Sequence, residues 1–359
     1  MKKLIALIMA LVIMALPAMA SAADMSAMTA IPVEYAFTTP STEFSMTTAW
    51  FMLTNFMGQD KASTAAQMAN LGLEVVLQEN YDKPMSDHSH TSAYTLAIGQ
   101  LPVRGEMRNV AVITIRGTGD GEWYSNFDIA PESGNDCIVA ENFQLATSAI
   151  YESVKPVLDS MDAPVIIATG YSRGAGCSNL LGLMLNADFN KEDIYIYTFA
   201  TPTTVRSDVE NDENIFNLVN MNAMITRMPP QAWGFTRAGT DIELRDPAYV
   251  NTDMHLMFMA MLGVCPDIDS FYNDRHAVDA RGLSDDGVTM YELFIAIADL
   301  ISGDAAAAEQ AQQFIGMLSA ADNDFSEFLP LFTQAMTGAN GTNQHMPDVY
   351  IQLMMALGE

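Results

Sequence analysis

The chain has 359 residues, half of them hydrophobic, with 16 Lys and Arg against 44 Asp and Glu for a net charge of −28. That length affords one large domain or two small ones with a sizeable core, and the charge excludes nucleic acid and anionic membrane as electrostatic partners. Three cysteines, Cys137, Cys177 and Cys265, allow at most one internal bridge and exclude a disulfide scaffold.

The chain opens MKKLIALIMALVIMALPAMASA, with Lys2 and Lys3 before an apolar core from Leu4 to Leu16 and small residues at Ala18, Ala20 and Ala22. This pattern predicts a signal peptide over 1–22, cleaved after Ala22, its core too short to span a bilayer comfortably. The mature chain, 23–359, is then exported and soluble: extracellular, or periplasmic where the host has an outer membrane. Losing Lys2 and Lys3 takes its charge from −28 to −30.

No internal repeat, low-complexity tract or Pro/Ser-rich linker divides the rest, so one continuous domain is expected. Asp87, His88 and His90 come early, with a spacing that suits a metal but without further ligands nearby; they are assigned to a polar loop. Four apolar runs follow, NVAVITIRGT (109–118), APVIIATGYS (163–172), DIYIYTFATP (193–202) and NIFNLVN (214–220). Between the first two, Phe143, Leu145, Ile150, Val154 and Leu158 recur at roughly helical spacing across 141–161, and 178–189 also reads as helix. Continuous apolar strands alternating with helices predict a mostly parallel sheet covered on both faces. From about 241 to 338 the texture changes to methionine-rich helical patterns such as MHLMFMAMLGV, expected either to pack on the sheet or to form a cap offering an adaptable apolar surface.

Gly170-Tyr171-Ser172-Arg173-Gly174 stands where the second strand meets the next helix. A serine hydroxyl needs a base and must project from the backbone to attack a carbonyl. A Gly-x-Ser-x-Gly turn between strand and helix provides the projection, and the helix N-terminus favours the anion that develops. Cys177, on that helix, reads as a small buried residue.

With these blocks in order, the chain resembles the class 3 (fungal-type) lipases of the α/β-hydrolase fold, in particular their secreted bacterial branch. VAVITIRGTGDGEWYSNFD (110–128) is similar to the family's strand, turn and acidic-Trp block. ATGYSRGAGCSNLLG (168–182) resembles its nucleophile block, where His more often stands at Tyr171. YTFATP (197–202), the segment 215–241 and HMPDVY (345–350) resemble the following strands and the terminal histidine block. The resemblance implies an α/β-hydrolase fold with the 241–338 insertion as a cap before the last histidine. It implies Ser172 as nucleophile, His345 as general base, and the backbone N–H groups of Thr118 and Arg173 as the oxyanion hole. His276, in a polar and acidic stretch of the Met-rich region, is the competing base. Glu122 and Trp123 read as packing residues.

The family's triad aspartate falls, without a gap, on Ala223. Asn222 can orient an imidazole without matching a carboxylate's charge, and Asp208, Asp212 and Asp241 stay open as relocated acids. The leading expectation is a secreted serine carboxylester hydrolase acting on acyl esters or neutral lipids, with no cofactor and no metal. Two others stand beside it: a catalytically impaired protein that binds an apolar ligand, and a different acyl transfer such as peptide or acylated-sugar cleavage.

Overall fold

A computed structural model describes residues 31–83, 90–119, 122, 124–127, 139–206, 212–220, 223–227, 234–244, 345 and 347–358. All of these except His345 fall in one compact unit, composed of Asp24–Ile129, Cys137–Arg245 and Pro347–Glu359. The expected signal peptide, Cys137, Cys265, His88, His276 and nearly all of 241–338 lie outside the described residues.

Chain order gives α1 (Met46–Asn55), α2 (Lys61–Asn70), β1 (Glu74–Glu79), β2 (Tyr94–Val103), β3 (Glu106–Ile115), α3 (Glu141–Ser160) and β4 (Val165–Tyr171). Then follow α4 (Arg173–Asp188), β5 (Ile194–Phe199), β6 (Ile215–Asn220), β7 (Thr240–Leu244) and α5 (Pro347–Gly358). The strands form one seven-stranded sheet in sequence order. β1, β2 and β3 pair antiparallel, whereas β3 through β7 run parallel. The sheet is therefore mixed and mostly parallel, as the four apolar runs predict. β7 takes up the first residues of the stretch read as insertion.

The central strands β4, β5 and β6 are buried along their whole length, as required of continuous apolar strands covered on two sides. On one face, Tyr195 and Tyr197 meet the N-terminal segment. Their rings contact Phe37 and Phe44, and their hydroxyls bond Thr39 O (2.7 Å) and Ser45 N–H (3.0 Å). On the other face lies α4, so close at Gly182 that a Cβ there would press on Ile196 and Ile215 at 2.9–3.2 Å. α3 buries Phe143, Ala146, Ile150, Val154 and Leu158. Leu145, read as part of that stripe, is 46% exposed; two residues at 100° each turn it about 200° from Phe143.

An amide and hydroxyl network lies beneath α4. Asn179 Nδ2 donates to Asn217 Oδ1 and Ala238 O, both at 2.8 Å, and Thr198 Oγ1 donates to Asn217 Oδ1 at 2.7 Å. These bonds pin the loop before β7 against the helix, so the parallel edge is held by polar register as well as apolar burial.

Candidate active site

The carboxyl ends of the parallel strands assemble the site. β4 ends at Tyr171, and Ser172 turns the chain into α4 with φ 54° and ψ −120°, a conformation strained for any residue with a Cβ. Several bonds hold it there. Ser172 N–H donates to Phe199 O (2.9 Å), and Ser172 O accepts from the N–H groups of Ala175 (2.9 Å) and Gly176 (3.1 Å), starting the helix. The flanking glycines are sterically required: a Cβ on Gly170 would overlap the Gly174 carbonyl, and one on Gly174 would overlap the carbonyl oxygens of Ile115 and Arg116. Because those neighbours are backbone, relief would demand moving α4 off β3. Gly174→Ala is expected to destabilise by about 3 kcal/mol or more, read from the denaturant midpoint of purified protein.

The turn after β3 comes alongside. A Cβ built on Gly117 would sit 3.3 Å from Tyr171 O and 3.7 Å from Ser172 Cβ, so this turn abuts the elbow. Thr118 follows, its Oγ1 accepting from Asn126 Nδ2 at 3.0 Å. Neither Thr118 N–H nor Arg173 N–H has a hydrogen-bond partner among the described residues, and Arg173 begins a helix whose first N–H groups have none within it. The Arg173 N–H thus directly follows Ser172, and the turn that carries the Thr118 N–H abuts the same elbow.

Glu122 organises the same turn. Its buried carboxylate accepts from Gly119 N–H (2.6 Å) and lies 3.9 Å from the Arg116 guanidinium. Burial raises its pKa, opposed by Arg173, the Gly119 N–H and Arg116. Glu122 is thus buried but serves the turn through its carboxylate rather than by packing against the sheet; Trp123 lies outside the described residues. His90 Nδ1 is 3.2 Å from Ser125 Oγ. Among the described residues no group of three or more His, Cys, Asp or Glu could hold a metal. Cys177 is a buried free thiol 3.3 Å from Ser92 Oγ, its pKa raised by burial, which leaves it an unreactive core residue.

Ser172, Arg173 and Thr118 are therefore brought together, while Asn222 lies outside the described residues. Ala223 is buried just past β6; its N–H donates to Asn220 O (3.0 Å) and its O accepts from Thr226 Oγ1 (2.7 Å). Two of the alternative acids are corrected. Asp212 precedes β6 at the amino end of the parallel strands, where its carboxylate accepts from Gly239 N–H. Asp241 faces Asn217 in register and pairs with Arg237. Registers through β5 and β6 put Ser172 level with Glu243, so Asp241 lies three strands and two residues away, about 16 Å. Asp208 is outside the described residues.

The C-terminal helix docks on the same strand ends: Tyr350 OH accepts from Asn220 N–H at 2.9 Å, and its ring meets Tyr171 edge-on at 5.7 Å. His345, two residues before α5, is buried, and burial pushes its imidazole down to about 4. A histidine depressed on folding contributes stability fully present above its unfolded value near 6.5 and lost as pH falls through 4. Between those limits the protein should lose about 3 kcal/mol of stability that His345→Gln does not lose, measured by urea unfolding at each pH.

No described helix is long and apolar enough to cross a membrane. Comparison with solved structures finds similarity to a Rhizomucor miehei lipase–propeptide complex, at 20% identity and a TM-score of 0.38, covering 51% of this chain and 60% of that one. The lipase of Rhizopus microsporus var. chinensis is similar at 16% identity and a TM-score of 0.39, over 53% of this chain and 67% of that one. No curated protein matches the chain. Residues 112–233, which carry the turn after β3, the Ser172 elbow and strands β4 to β6, match the family profile described as Lipase (class 3), so this part of the chain is similar to that family.

Proposed function

We propose that the protein is a secreted serine carboxylester hydrolase of lipase type that cleaves acyl esters or glycerides through an acyl-enzyme. The observation that carries this reading is the strained Ser172 elbow at the carboxyl end of β4, with two backbone donors beside it. Ser172 Oγ attacks the ester carbonyl carbon while His345 takes its proton. The carbonyl oxygen becomes an oxyanion held by the Thr118 and Arg173 N–H groups, and His345 returns the proton to the departing alcohol. Water, deprotonated by the same histidine, then attacks the acyl carbon and frees the acid and Ser172. His345 owes its role to its place in the chain, five residues before Tyr350, which packs on the residue preceding the nucleophile.

An apolar acyl chain suits the Met-rich segment 241–338 read as a cap, and the charge of −28 favours neutral glycerides over anionic surfaces. Secretion rests on the first 22 residues alone. The test is hydrolysis of p-nitrophenyl esters from acetate to palmitate by the mature chain, together with labelling by a fluorophosphonate. Turnover that varies with chain length supports the reading. Labelling without ester turnover would favour another acyl transfer. Neither turnover nor labelling would overturn the enzyme reading in favour of a binding protein, the alternative favoured by Ala223 at the acid position.

A further inference from the structure

Arg173 contributes a side chain as well as an N–H. Its guanidinium is buried at 1% exposure, with every nitrogen engaged. Nε donates to Ser92 Oγ (3.0 Å) and Thr91 O (3.2 Å), Nη1 to Asn126 Oδ1 (2.9 Å), and Nη2 to Ser125 Oγ (2.8 Å) and Thr91 O (3.1 Å). The Phe143 ring lies 5.5 Å from its central carbon. Asn126 then spends its amide on Thr118 Oγ1. Burying a guanidinium costs several kcal/mol before its bonds offset that cost, and an apolar side chain would start the helix and cover Phe143 without it. What an apolar residue could not do is hold the segment 125–126, and through it Thr118.

We propose that the Arg173 side chain is a positioning residue for the oxyanion hole, fixing the Thr118 donor relative to the donor on Arg173's own backbone through the relay Arg173–Asn126–Thr118. One residue thus carries one donor and sets the place of the other. The inference rests on the lipase-type reading, since it concerns an oxyanion. A donor that drifts from the oxyanion weakens transition-state binding and leaves ground-state binding nearly untouched. The relay therefore acts on kcat.

The experiment is steady-state kinetics on p-nitrophenyl butyrate for wild type, Arg173→Met, Asn126→Ala, their double variant and Asn126→Asp, each checked by thermal melting. We expect Arg173→Met and Asn126→Ala each to lower kcat about 100-fold with KM changed less than about 3-fold. The double variant should be little slower than either single one, because both cut the same path. Asn126→Asp keeps an acceptor for Nη1 and another for the Thr118 hydroxyl, and should recover most of the rate lost in Asn126→Ala. Should Arg173→Met fail to fold, the Asn126→Ala and Asn126→Asp pair decides. Losses that multiply, losses in KM alone, or no rescue by Asn126→Asp in an active enzyme would overturn this inference only. A wild type that neither turns over ester nor takes up fluorophosphonate would overturn the lipase-type reading and the relay with it.

Discussion

Replacing Ser172 by alanine is expected to lower ester turnover by on the order of 10⁶ while leaving the fold and its stability unchanged within about 0.5 kcal/mol. The size follows from the chemistry, because no acyl-enzyme forms without Oγ and the donors of Thr118 and Arg173 then have only a water-borne reaction to assist. The unchanged stability follows from the backbone. Ser172 is held at φ 54° by its bond to Phe199 O and by the helix it starts, and alanine carries the same Cβ into the same strain. Glycine would not. Ser172→Gly should be equally inactive yet more stable by about 1 kcal/mol, since it sheds strain worth about 1–3 kcal/mol and gives back part of that as backbone entropy. The two variants together separate chemistry from scaffold. Inactivity with a raised melting temperature in the glycine variant is the signature of a residue kept for its hydroxyl against the preference of the fold. Retained turnover in Ser172→Ala would remove the serine from the mechanism.

The sequence showed this serine because two independent signals coincide there: an apolar strand that stops, and glycines where backbones must touch. Gly170 and Gly174 are legible for the reason they are needed, since a Cβ at either would meet main-chain carbonyls. Strands β3 to β6 were legible as continuous apolar runs because they are buried along much or all of their length. β1, EVVLQE at the edge of the sheet, and the five-residue β7 are partly exposed and short, so hydrophobic periodicity hardly marks them. The Arg173–Asn126 contact was illegible for a different reason: it spans 47 positions and joins a helix start to a short 3-10 turn through side chains, which no spacing rule encodes. Asp212 and Asp241 stood open as acids until strand register put one at the wrong end of the sheet and the other too far across it.

Ala223→Asp is expected to raise kcat/KM by on the order of 10², with a ceiling near 10⁴ set by what a missing triad carboxylate costs. Ala223 lies three residues past the end of β6, whose last N–H, on Asn220, donates to Tyr350 OH. It is the position at which the resemblance to class 3 lipases puts the acid. A carboxylate acts there in two ways if it reaches His345. It fixes the tautomer that accepts the Ser172 proton, and it stabilises the imidazolium formed when that proton arrives. The second effect has its own signature. Burial holds His345 down at about 4, so the acid limb of kcat/KM should lie near there in the wild type. A nearby negative charge favours the protonated ring and should move that limb upward toward the ordinary histidine range. Ala223→Asn supplies orientation without charge, and should give a smaller gain with little shift of the limb. Burying a carboxylate at a site only 2% exposed also carries a cost, which a charged partner offsets and an empty surrounding does not. A variant that folds less stably, turns over no faster and keeps its acid limb near 4 would therefore mean that residue 223 does not face His345, and that the histidine works in this chain without an aspartate at this position.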